Sequence, residues 1–169
     1  QTCALPIWKH ERLKGAVIFA NRLLTAVVFA AYPLLLGFLF TNDAFKLRFV
    51  LIPAFSFAAV SMARAGLHKK RPYEMLPITP LVPKGTKEKS FPSRHVFSAF
   101  MIAMTYLAAA LRLPPEDGAH AVLLVFSIVL FVMADLLGDV RVLLGVHFLG
   151  DVIAGALIAV LCGPVFLLF

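Results

Sequence analysis

The sequence predicts an all-α fold: a polytopic transmembrane helix bundle with about five membrane helices in this chain. Three observations predict it. First, 61% of the residues are hydrophobic and the mean hydropathy is +0.91. Only 15% are charged, against roughly 25% in soluble domains, and a water-soluble fold of this size has too little interior to hide so much apolar surface. Second, the apolar residues fall into five long segments divided by polar connections. Third, no segment alternates apolar and polar with period two. That argues against barrel strands and for helices, which satisfy their own backbone groups in lipid.

The first segment runs from about Ala16 to Phe40, and its stretch from Leu23 to Asn42 is uncharged. About 20 such residues cross a bilayer core, with Arg22 placed to snorkel to the interface. The second, about Leu47–Ala63, is bounded by Arg48 and Arg64 and is expected to kink at Pro53. The third, about Ser93–Leu111, opens with Pro92-Ser93, and Ser93 is a good helix N-cap. The fourth spans about His120–Leu137, and the fifth runs from about Val146 to the end. Residues 1–14 are expected to form an interfacial N-terminal segment, and residues 15–169 one transmembrane domain. Trp8 and Tyr73 suit the aromatic belt at a membrane interface.

The connections differ in kind. Thr41–Lys46 and Arg112–Ala119 look like plain turns, the second stopped by Pro114-Pro115. Gly138–Gly145 is read as the joint between the fourth and fifth helices. Arg64–Pro92 is long, carries Pro72, Pro77, Pro80 and Pro83, and holds Lys69, Lys70, Lys84, Lys87 and Lys89. Loops of this length in a compact domain are usually functional or disordered.

The net charge is +7. Its basic residues cluster between membrane segments, which points away from nucleic acid and toward anionic head groups or a phosphorylated substrate. Cys3 and Cys162 are too few for a disulfide framework and lack metal-ligand spacing. His68 and His120 have no companions in sequence and are expected to be solvated.

Three polar runs remain: Arg64 with Arg71-Pro72; Pro92-Ser93-Arg94-His95; and Arg141, His147 and Asp151. With strict alternation of crossings, the second helix ends, the third begins, the fourth ends and the fifth begins on one side, so all three runs converge on one membrane face. Residues four apart share a helix face, which pairs His147 with Asp151. An Asp that accepts from one imidazole nitrogen fixes the tautomer and suits a nucleophilic His. Arg141 is expected in the preceding loop, where a guanidinium grips phosphate oxygens. Ser93 and His95 sit at a helix N-terminus, a natural anion site, with His95 placed as a general acid. Each run also has an ordinary reading: a self-satisfied His–Asp pair, a Ser cap beside an interfacial His, or basic residues facing lipid head groups.

These residues resemble the type 2 phosphatidic acid phosphatase family, whose site is shared with vanadium haloperoxidases and glucose-6-phosphatase. The family pattern is Lys, six residues, Arg-Pro; then Pro-Ser-Gly-His; then Ser-Arg, five residues, His, three residues, Asp. Order and spacing agree over about residues 47–165. The resemblance implies His147 as nucleophile forming a phosphohistidine, Asp151 as its orienting partner and His95 as general acid. It implies Arg64, Arg71, Ser93, Arg94 and Arg141 as the phosphate-binding set, with no metal and no cofactor. Three positions depart: Arg64 replaces Lys with a bulkier fork, Arg94 replaces Gly, and Val140 replaces Ser with loss of a hydroxyl. Arg94 must point elsewhere or join the site.

The resemblance implies metal-independent hydrolysis of a phosphomonoester or pyrophosphate on a membrane lipid, of phosphatidic acid, phosphatidylglycerol phosphate or polyprenyl pyrophosphate type. The rivals are a haloperoxidase-like vanadate enzyme and a non-catalytic lipid-binding or transport protein. Family members with six crossings carry the site outside a bacterial cytoplasmic membrane. A lost first helix would reconcile that with five crossings, and the extracytoplasmic face is the expectation here. The charge rule opposes it. Lys9, Arg12, Lys14, Lys69, Lys70, Lys84, Lys87 and Lys89 share the site's face, against Lys46, Arg48 and Arg112 on the other.

Overall fold

The computed structural model describes residues 10–41, 47–82, 85 and 87–168, whose regular elements are helices with no strand among them. In chain order the helices are α1 (Glu11–Thr41), α2 (Arg48–Leu67), α3 (Pro72–Met75), α4 (Arg94–Ala110), α5 (Gly118–Leu143), α6 (Leu149–Cys162) and α7 (Val165–Leu168). The expectations for Cys3, Trp8, Lys9, Lys46, Pro83 and Lys84, and for the turn at 42–46, lie outside the described residues.

The stretches Glu11–Thr41, Arg48–Met75 and Gly118–Leu143 are long and apolar enough to cross a membrane, while α4 and α6 are shorter apolar helices. The short helices pack inside. α4 lies against α1, α2, α5 and α6 and buries most of its surface, including Ala99, Ala103, Ala108 and Ala109, small residues that let helix backbones approach closely in lipid. The large side chains face the other way: Phe19, Leu34, Phe55, Ile128 and Leu161 are exposed. An apolar exterior around a small-residue interior is the pattern of an integral membrane bundle. Two tyrosines tie the first helix down, Tyr106 donating to the Ala31 carbonyl at 2.8 Å and Tyr32 to the Phe49 carbonyl at 2.7 Å.

Several helix boundaries, and one side chain, differ from the sequence reading. α1 begins at Glu11, so residues 11–14 are helical. α5 continues through Gly138 to Leu143, where a joint was expected. The glycine serves packing: a Cβ on Gly138 would lie 2.7 Å from Val152 Cγ1 of α6. The actual turn is at Gly145, whose φ of 71° favours glycine. The last segment breaks at Gly163-Pro164 into α6 and α7, because proline has no N–H to continue the helix. His120 is half-buried rather than solvated, and its Nδ1 lies 2.9 Å from the Ala110 carbonyl and 3.2 Å from that of Leu113. It thereby covers orphan carbonyls at the end of α4.

One glycine sets the α4–α6 crossing. A Cβ on Gly155 would stand 2.7 Å from the Ser93 carbonyl oxygen and 3.3 Å from the Phe97 nitrogen. Both are backbone atoms and cannot swing aside. Gly155→Ala should therefore destabilise the protein by about 1–3 kcal/mol, read as a lowered thermal midpoint in detergent, and should displace Ser93.

Candidate active site

The three polar runs meet at one end of the bundle, laced by hydrogen bonds between them. Arg64, in the last turn of α2, donates from Nη1 to the Pro92 carbonyl at 3.1 Å. Arg71, the residue before α3, donates from Nη1 to the Val146 carbonyl at 3.0 Å. The Ser93 N–H donates to the Asp151 carbonyl at 2.9 Å, and the Leu81 N–H to that of Leu144 at 3.2 Å. The long loop is thus fastened across the ends of α4, α5 and α6.

Arg141 is not in a loop. It occupies the last turn of α5 and is buried, because α5 runs one and a half turns further than the glycine at 138 suggests. Its charge sits near enough to Arg71 for mutual repulsion. His147 is not on a helix either: it precedes Phe148, the N-cap of α6. The pair with Asp151 forms through cap geometry. Asp151 is the third residue of α6, and its Oδ2 reaches back to accept from the Phe148 N–H at 3.1 Å. That places Oδ2 at 3.7 Å from His147 Nδ1, beyond hydrogen-bond length but within ion-pair reach, with Nε2 on the far side of the ring.

Ser93 is the N-cap of α4 as expected, yet its hydroxyl makes no cap hydrogen bond. Ser93 Oγ, Arg64 Nε, Arg141 Nε and His147 Nδ1 are buried polar atoms without a hydrogen-bond partner. Such groups are costly in an apolar surrounding. The charge balance is as uneven. Arg64, Arg71 and Arg141 are 6%, 2% and 4% exposed. The one buried carboxylate among the described residues, Asp151, is already paired with Lys69, Nζ to Oδ1 at 2.6 Å. Burying three guanidiniums around one carboxylate that already has a cation is unfavourable, and an added anion would offset that excess of positive charge.

His147 shows the same field. Its pKa is pushed down to about 4, first by burial, with Arg71 and Arg64 adding and Asp151 opposing. The imidazole is therefore neutral across the ordinary pH range.

The second run divides. His95 is half-buried in the first turn of α4, its ring centroid 6.3 Å from that of Phe29 in α1. Arg94 is exposed, with its guanidinium 5.7 Å over the Phe57 ring of α2, so it points outward while its charge still reaches Arg64 and Arg71. Phe29 and Phe57 also line an apolar cavity of about 350 Å³ between α1, α2 and α4, together with Pro53, Phe97, Met101 and Ile102.

Two residues in the cluster escaped the sequence reading. Lys69 was grouped with the loop lysines, and Ser90 was not singled out, yet both donate to Asp151. Each lies two or three residues from a run, at Arg71 and Ser93, and proximity was the only available clue.

A model of the PAP2 superfamily matches residues 45–169. The chain belongs to the PAP2 superfamily. Solved structures agree. The crystal structure of Aquifex aeolicus LpxE is similar with a TM-score of 0.63 and 29% identity, over 95% of this chain and 88% of that one. The transmembrane PAP2 type phosphatidylglycerolphosphate phosphatase of Bacillus subtilis is similar with a TM-score of 0.66 and 22% identity, over 93% and 76%. The second likeness is one of fold. Comparison with curated proteins gives no match. The protein is an all-helical membrane phosphatase of the PAP2 type, and its polar cluster lies within the matched region.

Proposed function

We propose that this PAP2 protein hydrolyses a phosphomonoester or pyrophosphate on a membrane lipid, without metal, through a phosphohistidine on His147. The observation that carries the reading is the buried triad of Arg64, Arg71 and Arg141 facing one already-paired carboxylate. A phosphate dianion supplies the missing charge and accepts from the unpartnered Arg64 Nε, Arg141 Nε and Ser93 Oγ. The same three cations repel a divalent metal. With Nδ1 turned to Asp151, Nε2 is the nitrogen left to attack phosphorus. As the N–P bond forms, the P–O bond to the lipid breaks and His95 protonates the leaving oxygen. Water, deprotonated by His95, then cleaves the N–P bond and releases phosphate.

The cavity beside His95 supports a lipid. It is apolar, lies among membrane helices and is lined by Phe29 and Phe57, the rings next to His95 and Arg94. The similar Bacillus subtilis protein is named for a lipid phosphate, phosphatidylglycerolphosphate. We place the site on the extracytoplasmic face, as the family topology implies. Labelling of Lys87→Cys by an impermeant maleimide in intact cells tests that placement.

The function is tested with pure protein, a panel of phosphatidic acid, phosphatidylglycerol phosphate and polyprenyl pyrophosphate, and excess EDTA. Phosphate release from at least one lipid, unchanged by EDTA and inhibited by orthovanadate, is expected. No release from any of them, or loss with EDTA, overturns the reading. Vanadate-dependent halide oxidation would favour the haloperoxidase rival.

A further inference from the structure

Asp151 has more partners than the His147 it faces. Its side chain is 0% exposed. Lys69 Nζ donates to Oδ1 at 2.6 Å, the Phe148 N–H donates to Oδ2 at 3.1 Å, and Ser90 Oγ donates to Oδ2 as well. The Lys69 ammonium also lies 4.9 Å from the centre of the Phe91 ring and 5.5 Å from that of Phe148. This cation is held on two sides by aromatic faces, although its side chain is 42% exposed.

Lys69 and Ser90 are also joined to each other. The Ser90 N–H donates to the Lys69 carbonyl at 2.9 Å. Nearby, the Glu74 carboxylate accepts from the Arg71 N–H at 2.8 Å and the Glu88 N–H at 3.1 Å. The start and end of the long loop are therefore stapled side by side, directly over Asp151.

We propose that Lys69 and Ser90 are positioning residues of this phosphatase, which together fix the Asp151 carboxylate so that Oδ2 faces His147 Nδ1 while Lys69 neutralises it. The proposal rests on the reading of His147 as nucleophile. A carboxylate offers about four lone-pair sites. Donors on both oxygens prevent its rotation and hold Oδ2 on the His147 side, 3.7 Å from Nδ1. Charge supplies the second half. A buried carboxylate needs a cation, and among the described residues the ion pairs of this one are with Lys69 and His147. With Lys69 in place, His147 stays neutral and nucleophilic. Without it, Asp151 draws a proton onto the imidazole and disables it. The other charges facing His147 are Arg64 from α2 and Arg71 before α3. Arg141 of α5, and Arg94 and His95 of α4, are titratable groups on the neighbouring helix ends.

The test compares Lys69→Met, Lys69→Arg and Ser90→Ala with the unaltered full chain in detergent micelles. One readout is kcat and KM for phosphatidic acid. The other is the titration of His147 by NMR of ¹⁵N-histidine-labelled protein, which needs no turnover. Lys69→Met should lower kcat by about 10- to 100-fold, the size typical of groups that orient a site residue, with KM unchanged. His147 should titrate at higher pH, because removing a cation favours the imidazolium. Lys69→Arg should restore the titration and most of kcat. Ser90→Ala should cost about tenfold in kcat, as loss of one hydrogen bond to a charged group. An unmoved His147 titration in Lys69→Met overturns the proposal. So does a raised KM at unchanged kcat, which would make Lys69 a substrate contact. If the unaltered chain releases no phosphate from any lipid, the catalytic reading fails, and the titration still decides whether Lys69 controls the charge on His147.

Discussion

Replacing His147 by alanine is expected to lower phosphate release by at least about 10⁴-fold, because loss of a covalent nucleophile removes the reaction path rather than one contact along it. Binding should persist. Arg64, Arg71, Arg141 and Ser93 remain in the variant, so a phosphorylated lipid or vanadate should still bind. A rapid acid quench of the unaltered protein with ³²P-labelled lipid should trap label on histidine, and His147→Ala should trap none. Retention of wild-type turnover would end the phosphohistidine reading. The pH profile gives an independent check. His147 must be neutral to attack, and its pKa is pushed down to about 4, chiefly by burial. Protonation on the acid side removes the nucleophile. The acid limb of kcat/KM should therefore lie well below 6.5, the value for an unperturbed histidine, with activity falling only as the pH drops toward 4. A limb near 6.5 assigned to His147 would mean that the imidazole is not shielded as the structure has it.

Much of the architecture was readable because a bilayer demands long apolar helices, and the composition leaves no other class. Helix ends were less readable, since they depend on neighbours. Gly138 looks like a stop in the sequence, but it is retained within α5 because it admits Val152 of α6. His120 looks solitary, but it serves carbonyls at the end of α4, ten residues back. In the site, the runs that residue types and spacing single out do come together in the fold, although the mechanism of pairing differs. His147 and Asp151 meet through a helix cap, and Arg141 arrives on a helix rather than a loop. Lys69 and Ser90 carried no periodic or motif signature. They reach Asp151 across 82 and 61 residues of chain, a distance that only the folded loop resolves.

Asp151→Asn should be nearly as damaging as loss of the nucleophile, and for reasons that separate orientation from stability. Asparagine keeps the volume and one acceptor oxygen but replaces the other oxygen with an N–H₂ group. Ser90 Oγ, the Phe148 N–H and Lys69 Nζ all donate to this side chain, so one donor must face another. Lys69 also loses its ion-pair partner at 2.6 Å. Because Lys69 is partly exposed, its ammonium can turn to water, so the fold should survive. His147 has no such exit. It faces a neutral amide in place of the carboxylate charge that selects its tautomer, and the attacking nitrogen is no longer guaranteed a lone pair. Loss of an orienting carboxylate costs about 10⁴-fold in the best-studied triad, and a fall in kcat of about 10³- to 10⁴-fold with little change in KM is expected here. Circular dichroism and the thermal midpoint should remain close to those of the unaltered protein. Asp151→Ala gives the contrast. It leaves a cavity beside three buried guanidiniums and should lose stability as well as activity. If Asp151→Asn instead raised KM and left kcat intact, Asp151 would be holding the phosphate cradle rather than His147.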